Sequence, residues 1–191
     1  LSHQLRENPE LMGPQERGAV VVDLGTGSGA IALALEAELP DATVWATDAR
    51  EDALAVATAN VAGAAATRVR CAHGHWFDAL PTALAGTIDL VVANPPYVRA
   101  DELATLSPEV RDHEPRRALV SGPTGLEAIE ELLDAAPSWL APRSVFVCEI
   151  APHQAGAVQA SAHAAGFAGV EVHDDLTGRP RVLVARQSLR V

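Results

Sequence analysis

Residues Ala19–Leu35, AVVVDLGTGSGAIALAL, carry the strongest indication of this chain's fold. It opens with Ala19–Leu24, a short valine-rich run that is typical of a strand buried in a parallel sheet. The loop Gly25–Gly29 carries glycine at every second position, and the residues after it have helical spacing. Glycine permits positive φ and close approach of a ligand, and the first turn of a helix offers unpaired N–H groups. The loop therefore predicts a site for a nucleotide-like cofactor, although dinucleotide-binding folds carry similar glycines.

Apolar runs and longer helix-like segments alternate along the rest of the chain. We predict strands at Ala19–Leu24, Ala42–Thr47, Thr67–Ala72, Ile88–Ala93, Ser144–Ile150, Val170–His173 and Val182–Ala185. We predict helices at Ala30–Leu39, Asp52–Ala62, Leu126–Leu140 and Gln154–Ala165. Such alternation implies a doubly wound, mostly parallel sheet, and the last two strands should form an antiparallel hairpin. The segment Tyr97–Thr124 is long and rich in proline and charge, and we expect it to be a functional or disordered loop.

Length, composition and charge fit one globular domain. The chain has 191 residues, of which 48% are hydrophobic and 4% aromatic, so its core must consist mainly of Val, Leu, Ala and Ile. The formal net charge of −11 repels phosphate backbones and argues against nucleic acid as a direct partner. Arg111, Arg116 and Arg117 are the candidates for a local basic patch.

The cysteines and the apolar runs bear on compartment and metal binding. Cys71 and Cys148 sit in apolar strand-like runs and are expected to be free thiols. Cys71, His73 and His75 alternate along one strand, but zinc needs about four ligands and no second Cys/His pair follows nearby, so we predict no metal site. The sequence has no signal peptide and no apolar run of about 18 residues, so we expect a cytoplasmic protein that does not bind membranes.

Two residues outside the glycine loop extend the predicted cofactor site. Asp48 ends the second predicted strand, where a carboxylate can accept hydrogen bonds from ribose hydroxyls or cap the helix that begins near Arg50. Trp76 follows the third strand, where its ring could cover an adenine or pack in the core. NAD and S-adenosylmethionine both contain a ribose and an adenine, so these residues do not separate the two cofactors.

The tetrapeptide Asn94-Pro95-Pro96-Tyr97 ends the fourth predicted strand, at the sheet edge where ligands bind in open α/β folds. The Asn94 side-chain oxygen and the Pro95 carbonyl can accept the two N–H groups of a planar amide or aryl amine, and so aim its lone pair at a sulfonium methyl group. The prolines stiffen the turn, and Tyr97 offers a flat surface for stacking. The order of glycine loop, acid and tetrapeptide favours S-adenosylmethionine over NAD and predicts methyl transfer to a planar nitrogen.

On these residues the chain resembles the bacterial protein-(glutamine-N5) methyltransferases that modify peptide chain release factors. The resemblance runs from about Val20 to Arg186. It rests on the stretches Asp23–Leu35, Ala46–Asp48, His75–Leu80, Asn94–Val98, Glu109–Pro115, Gly122–Leu126 and Asp175–Arg186. The stretches Val110–Pro115 and Asp175–Arg186 are the most particular to that family.

The resemblance implies a Rossmann-like class I methyltransferase fold, with a mostly parallel seven-stranded sheet and a C-terminal antiparallel hairpin. It implies S-adenosyl-L-methionine as cofactor, S-adenosyl-L-homocysteine as its product, and N5-methylation of the glutamine in the Gly-Gly-Gln loop of a release factor. We predict that the cofactor is bound by Asp23, Gly25, Thr26, Gly27, Ser28, Gly29, Asp48, Ala49, Trp76, Phe77 and Asn94. We predict that Asn94, Pro95, Pro96 and Tyr97 are catalytic, and that the substrate is bound by Asn94, Pro95, Tyr97, Glu114 and Pro115.

Three departures from the family pattern are visible. The family usually has an N-terminal helical domain that helps to hold the release factor, whereas here we expect residues 1–18 to be a helical or linker remnant and residues 19–191 to be the catalytic domain. His75 stands where an acidic residue often precedes the tryptophan, which bears on the hydrogen bond to adenine. Ala151 replaces a common glycine, with little expected consequence.

Several alternatives stay open on sequence alone. Adenine N6 or guanine N2 presents the same planar amine, so a nucleic-acid methyltransferase is one alternative, and methylation of a glutamine in another protein, such as a ribosomal protein, is a second. A domain that binds the cofactor without efficient transfer is a third. The stretch 112–114 can act as an acid–base cluster or belong to a mobile loop, and we favour the loop. Glu149 can face the site or cap the next helix, and we expect the protein to be a monomer.

Overall fold

The computed structural model describes residues 18–108, 111 and 115–188. Its strands are β1 Val20–Leu24, β2 Thr43–Asp48, β3 Val69–His73, β4 Ile88–Ala93, β5 Val98–Arg99, β6 Val120–Gly122, β7 Leu140–Glu149, β8 Gly169–Asp174 and β9 Pro180–Arg186. Its α-helices are α1 Ala30–Glu38, α2 Glu51–Gly63, α3 Arg116–Leu119, α4 Glu127–Trp139 and α5 Ala155–Ala164. Short 3₁₀ helices at Trp76–Ala79 and Pro152–Gln154 adjoin the site described below.

Seven of these strands form one sheet in the order β3-β2-β1-β4-β7-β9-β8. Strands β1, β2, β3, β4 and β7 run parallel, and β9 runs antiparallel to both β7 and β8. The carboxyl ends of β1, β2 and β4 therefore meet at one edge, and the strand order reverses between β1 and β4, which is where open α/β sheets bind ligands. The predicted mostly parallel, seven-stranded sheet with a C-terminal antiparallel hairpin is confirmed.

The central strands β1 and β4 are buried on both faces of the sheet, which explains why they read as continuous apolar runs. Every residue of β4 is buried, and alternate residues face opposite helix layers. Val91 packs with the layer formed by α4 and α5, whereas Val92 packs with α1 on the other face. Full burial of one such side chain stabilises the fold by about 1.5–3 kcal/mol. Strand β4 therefore gives the ligand-binding edge a rigid base.

Strand β7 begins earlier than the sequence predicts. It starts at Leu140, directly after α4, because Leu140 pairs with Ile88 before the chain bulges out of the ladder. Arg143 takes φ +66° in the bulge, and regular pairing resumes between Val145 and Leu90. Pro142 and Arg143 in this bulge interrupt the apolar pattern, so the first part of β7 could not be predicted from the sequence.

The segment Tyr97–Thr124, expected to be a functional or disordered loop, contains regular structure. Strands β5 and β6 pair in parallel within it, with Val98 opposite Val120, and form a separate two-stranded sheet. These strands have two and three residues, too few to show an alternating pattern, and their pairing joins distant parts of the segment. Residues 109, 110 and 112–114, and with them the predicted substrate-binding residue Glu114, lie outside the described residues.

Residues 1–17, which are almost all of the expected N-terminal remnant, also lie outside the described residues, and the expected domain boundary stays a prediction. Within residues 18–108, 111 and 115–188, no helix is both long enough and apolar enough to cross a membrane.

Candidate functional site

The glycine loop that follows β1 adopts the backbone conformation that its sequence predicts. Gly25, Gly27 and Gly29 all have positive φ, at +72°, +56° and +82°. The N–H of Thr26 donates to the carbonyl of Thr47 at 2.8 Å and so ties the loop to β2. A Cβ placed on Gly27 would meet no other atom within 4 Å. The loop is therefore held in place from the sheet side and leaves its backbone open to a ligand on the other side.

Asp23, the last polar residue before the loop, braces it from within the core. Its side chain is fully buried, and Oδ2 accepts hydrogen bonds from Thr26 Oγ1 at 2.6 Å and from the N–H of Ala32 at 3.1 Å. Its Oδ1 has no hydrogen-bond partner in the described part of the chain. Burial raises the pKa of Asp23 to about 6, against the lowering effect of both hydrogen bonds. Asp23 thus supports the loop rather than lining the cavity in front of it.

Asp48, at the end of β2, joins the loop to the start of α2. Its Oδ2 accepts the N–H of Gly27 and its Oδ1 accepts the N–H of Arg50, both at 2.9 Å. A carboxylate has about four lone-pair sites, so each oxygen can accept one further hydrogen bond. The side chain lines the cavity together with the neighbouring Ala49. The N-cap of α2 is Arg50, without a side-chain capping bond, so the prediction that Asp48 caps this helix is wrong. Asp48 orders the backbone ahead of α2 and still presents acceptors to a ligand.

A tryptophan, a histidine and a glutamate form one wall of the same cavity. Trp76 Nε1 donates to Glu131 Oε2 at 3.2 Å, and His75 Nδ1 lies 3.4 Å from Glu131 Oε1. A Cβ on Gly25 would lie 3.2 Å from the Trp76 ring, so a glycine lets the ring lie against the loop. Glu131 comes from α4 and was not predicted from the sequence, because an exposed acidic residue on a helix carries no local sign of this role.

Phe77 was predicted to bind the cofactor, but the structure places its side chain in the core and not in the cavity. Phe77 is 3% exposed and stacks on Trp139, with ring centroids 5.6 Å apart and planes inclined by 14°. The 3₁₀ helix Trp76–Ala79 turns adjacent side chains in different directions, so Trp76 faces the cavity while Phe77 enters the core. Phe77 fixes the position of the wall without contacting the cavity.

The tetrapeptide Asn94–Tyr97 follows β4 at the same edge of the sheet as the glycine loop, because β1 and β4 run parallel. Asn94 is exposed, and both Asn94 and Pro96 line the cavity. Pro95 is buried, which turns its side chain away from the ligand and leaves its backbone as the group that can act. Tyr97 is half-buried, and its hydroxyl donates to Glu149 Oε1 at 3.0 Å. The turn thus presents Asn94 to the cavity while its other end is held by β7.

Gln154, which was not predicted from the sequence, holds the backbone of this turn. The side chain is 3% exposed; Nε2 donates to the carbonyls of Tyr97 and Gly125, at 3.0 and 2.9 Å, and Oε1 accepts the N–H of Ala151 at 3.0 Å. Gly125 has φ +78°, and a Cβ there would lie 2.7 Å from the Tyr97 carbonyl oxygen. One amide side chain therefore joins three chain segments, and a glycine is required for them to meet.

The structure decides between the two interpretations of Glu149. Its carboxylate contacts Tyr97, whereas the 3₁₀ helix that follows β7 has Ala151 at its N-cap. Burial, followed by the negative charge of Glu149, raises the pKa of Tyr97 to about 12. The Tyr97 hydroxyl therefore stays protonated and donates its hydrogen bond at every pH near neutrality.

These elements enclose one cavity of about 580 Å³, a size typical of sites for small molecules and cofactors. Seven of the predicted cofactor-binding residues line this cavity, namely Gly25, Gly27, Ser28, Asp48, Ala49, Trp76 and Asn94. Of the other predicted residues, Pro96 and Pro115 line it as well. Asp23, Thr26, Gly29, Phe77, Pro95 and Tyr97 support the cavity walls instead. Arg117 of α3 and Ser121 of β6 also line the cavity, a position that was not predicted from the sequence.

The alternating Cys71, His73 and His75 make other contacts. His73 Nε2 lies 3.1 Å from the carbonyl of Ala49, and His75 pairs with Glu131. Within residues 18–108, 111 and 115–188, no group of three or more Cys, His, Asp or Glu side chains is arranged to hold a metal ion.

Comparison with known proteins indicates the family to which this chain belongs. Residues 10–110 match the family model described as methyltransferase small domain. A release factor glutamine methyltransferase from Cereibacter sphaeroides is 45% identical over 169 residues, which are 88% of this chain and 59% of that protein. A protein of the same name from Thermosynechococcus vestitus is 43% identical over 167 residues, which are 86% of this chain and 57% of that protein. The chain thus spans under two thirds of the length of these relatives.

A solved structure supports the fold. The crystal structure of a methyltransferase from Pyrococcus furiosus superposes with a TM-score of 0.68 over 96% of this chain and 83% of that one. The two sequences are 18% identical, so the likeness concerns the fold alone.

Proposed function

Because the chain belongs to the methyltransferase small domain family, we propose that it transfers a methyl group from S-adenosylmethionine to the side-chain nitrogen of a protein glutamine. The observation that carries the proposal is the position of Asn94. It lines the same cavity as the glycine loop and Asp48, at the switch point of the sheet. A hydrogen-bond acceptor for an amide nitrogen therefore shares one cavity with the groups that suit an adenosine-containing cofactor.

The described residues fit S-adenosylmethionine on three features. The space above Gly27 is open, so a ligand can approach the loop backbone. Asp48 lines the cavity with acceptors suited to ribose hydroxyls. Trp76 presents an aromatic wall whose orientation is held by its hydrogen bond to Glu131. When bound, S-adenosylmethionine would supply an electrophilic methyl group on a sulfonium.

The residues of the tetrapeptide would hold the acceptor. The Asn94 side-chain oxygen and the Pro95 carbonyl would accept the two hydrogens of the glutamine amide, which orients the nitrogen and stabilises the positive charge that develops on it. The buried, stiff Pro95 and the Gln154 bond to Tyr97 keep these acceptors in place. No general base is required before methyl transfer, because the amide nitrogen can lose its extra proton to water afterwards.

A release factor is the proposed substrate, and its Gly-Gly-Gln loop the proposed site of methylation. The support is that the two relatives above, at 45% and 43% identity, are named release factor glutamine methyltransferases. The net charge of −11 adds support, since a strongly acidic protein binds nucleic-acid substrates poorly. The cytoplasmic location and the monomeric state expected from the sequence belong to this proposal.

The proposal is tested by incubating the protein with methyl-labelled S-adenosylmethionine and a peptide that contains Gly-Gly-Gln. We expect label in the glutamine, and none in a matched peptide with asparagine in its place, because the shorter side chain does not reach the acceptors. RNA and DNA are assayed in parallel, since label in adenine or guanine would favour the nucleic-acid alternative. Absence of transfer to the peptide and to an intact release factor would refute the proposal.

The role of Asn94 is tested separately. Asn94→Ala should lower the transfer rate by about 100- to 1,000-fold, as expected for loss of one acceptor that acts in the transition state. Cofactor affinity, measured by calorimetry, should stay within a few-fold, because the glycine loop and Asp48 are unchanged. A large loss of cofactor affinity would contradict this division of roles.

A further inference from the structure

A line of polar contacts runs from Tyr97 to the C-terminal hairpin β8–β9. The Tyr97 hydroxyl donates to Glu149 Oε1 at 3.0 Å. Arg181 Nη1 lies 3.9 Å from the same oxygen, and its Nε lies 3.8 Å from Asp175 Oδ2. Arg181 Nη1 also donates to the carbonyl of Ile150 at 3.3 Å, which fixes the guanidinium against the end of β7. The hairpin is therefore connected to the tetrapeptide through two side chains.

These contacts are more sheltered than an ordinary surface ion pair. The side chains of Arg181 and Glu149 are 24% and 27% exposed, and the Tyr97 ring packs against the main hydrophobic core. Glu149 lies directly opposite Val182 in the β7–β9 ladder, so the backbone that carries the carboxylate is fixed by the sheet. A side chain held at its backbone by a ladder and at its tip by an arginine has few other rotamers to adopt.

The far end of the line is a tightly built turn. Asp175 Oδ1 accepts hydrogen bonds from the N–H of Thr177 at 2.8 Å, from its hydroxyl at 2.5 Å, and from the N–H of Arg179 at 3.2 Å. The backbone closes around it, because the N–H of Asp175 donates to the carbonyl of Arg179 at 2.7 Å. The turn gives Arg181 a fixed anion on the side away from Glu149.

We propose that Glu149 is a positioning residue for Tyr97 and that Arg181 holds Glu149 in place. The hairpin would then fix Tyr97, which ends the turn that presents Asn94 to the cavity. The expected effect on methyl transfer rests on the function proposed above, whereas the hydrogen bond between Tyr97 and Glu149 can be tested without any transfer reaction. The direction of the bond is fixed, since an ionised carboxylate accepts and the phenol donates.

We expect substitution of Glu149 to lower the rate of methyl transfer without lowering the affinity for the cofactor. In Glu149→Gln the Tyr97 hydroxyl loses its charged acceptor, and the weaker hydrogen bond lets the turn that carries Asn94 shift. A displacement of about 1 Å at a reacting group costs about 100-fold in rate, so we expect the maximal transfer rate to fall by about 10- to 100-fold. The Kd for S-adenosylmethionine should change less than three-fold, because Glu149 does not line the cavity.

The test uses the fact that Tyr97 is the single tyrosine of the chain. Protein carrying ¹³C-labelled tyrosine gives one Cζ signal in an NMR spectrum, and this signal reports on the hydrogen bond of the phenol at neutral pH. We expect it to move in Glu149→Gln and in Arg181→Met. The phenol of Glu149→Gln should also titrate closer to its ordinary pKa than that of the parent protein, since a neighbouring negative charge is removed.

The matched control is Glu171→Gln. Glu171 is on β8 of the same hairpin and lies 3.8 Å from Arg186 and 3.2 Å from His173, so the variant makes the same change in charge away from Tyr97. Its tyrosine signal and transfer rate should match those of the parent protein. A variant that merely weakens the fold would lower the melting temperature and leave the tyrosine signal where it was.

Two results would overturn the proposal. One is an unmoved Tyr97 signal in Glu149→Gln, which would show that the hydrogen bond is not formed. The other is a moved signal with a transfer rate within two-fold of the parent, which would show that the bond does not position the ring for the reaction. Failure of the proposed function looks different, because the unaltered protein would then transfer no methyl group to the glutamine peptide.

Discussion

The substitution Gln154→Met tests how much of the site's rigidity depends on one buried amide. Methionine has a similar length and flexibility to glutamine but cannot replace its hydrogen bonds. It would leave the carbonyls of Tyr97 and Gly125 and the N–H of Ala151 without the partner they have in the folded protein. Because Gln154 is 3% exposed, water cannot readily take its place.

The size of the effect follows from those three bonds. Each buried group that loses its partner costs about 1–1.5 kcal/mol, so the three together should lower the free energy of unfolding by about 3–4.5 kcal/mol. That is a large share of the stability of an average domain, about 5–15 kcal/mol. For a domain of this size it should lower the melting temperature by about 10 °C.

The assay is urea unfolding of the parent and variant proteins, monitored by circular dichroism. Gln187→Met is the matched control, since Gln187 is also a buried glutamine, at 8% exposure, but its side chain donates to one carbonyl, that of Pro137, at 3.2 Å. We expect the control to cost about 1 kcal/mol. If Gln154→Met costs no more than Gln187→Met, the three bonds do not hold the segments together and the reasoning is refuted.

Three further predictions concern the loop, the cofactor and pH. Gly125→Ala should destabilise the protein more than Gly178→Ala in thermal unfolding. Both glycines have φ +78°, so each change costs about 1 kcal/mol of backbone strain, but a Cβ at 125 also lies 2.7 Å from the Tyr97 carbonyl oxygen, whereas one at 178 meets nothing within 4 Å. Equal losses of stability would contradict the steric argument. Asp48→Asn should weaken S-adenosylmethionine binding by about 10- to 100-fold in calorimetry, because a charged acceptor is lost, and an unchanged Kd would count against Asp48 as a ligand. The raised pKa of Asp23, about 6 against an ordinary 3.8, means that the folded state binds more protons than the unfolded state between these values. This residue's contribution to stability should therefore fall by about 2 kcal/mol as pH rises from 4 to 7. The difference between parent and Asp23→Asn in urea unfolding isolates this effect, and a difference that does not change with pH would refute it.

The features that could be predicted from the sequence are those that depend on neighbouring residues along the chain. The glycine loop, Asp48 and Asn94–Tyr97 each follow a buried strand, and the carboxyl ends of parallel strands meet at one edge of a sheet. Strands that are predicted correctly therefore also predict that these residues lie together. The terminal hairpin is predictable for a similar reason, since its strands are joined by a short turn.

Phe77 shows that a local sequence pattern does not predict which of two adjacent side chains faces the cavity. Trp76 and Phe77 are adjacent, aromatic and equally suited to a cofactor by composition. In the 3₁₀ helix that contains them, a shift of one position decides whether a side chain enters the cavity or the core. The sequence contains no periodic signal over four residues that could have distinguished the two.

The α/β fold, the edge of the sheet at which ligands bind, and the residues at the ends of β1, β2 and β4 that face this edge could all be predicted from the sequence. The side chains that hold those residues in place became visible only in the folded protein. Gln154 reaches Tyr97 across 57 positions, Glu131 reaches Trp76 across 55, and Glu149 reaches Tyr97 across 52. Such contacts depend on the register of distant strands and on how helices pack over them, and no short stretch of sequence encodes either.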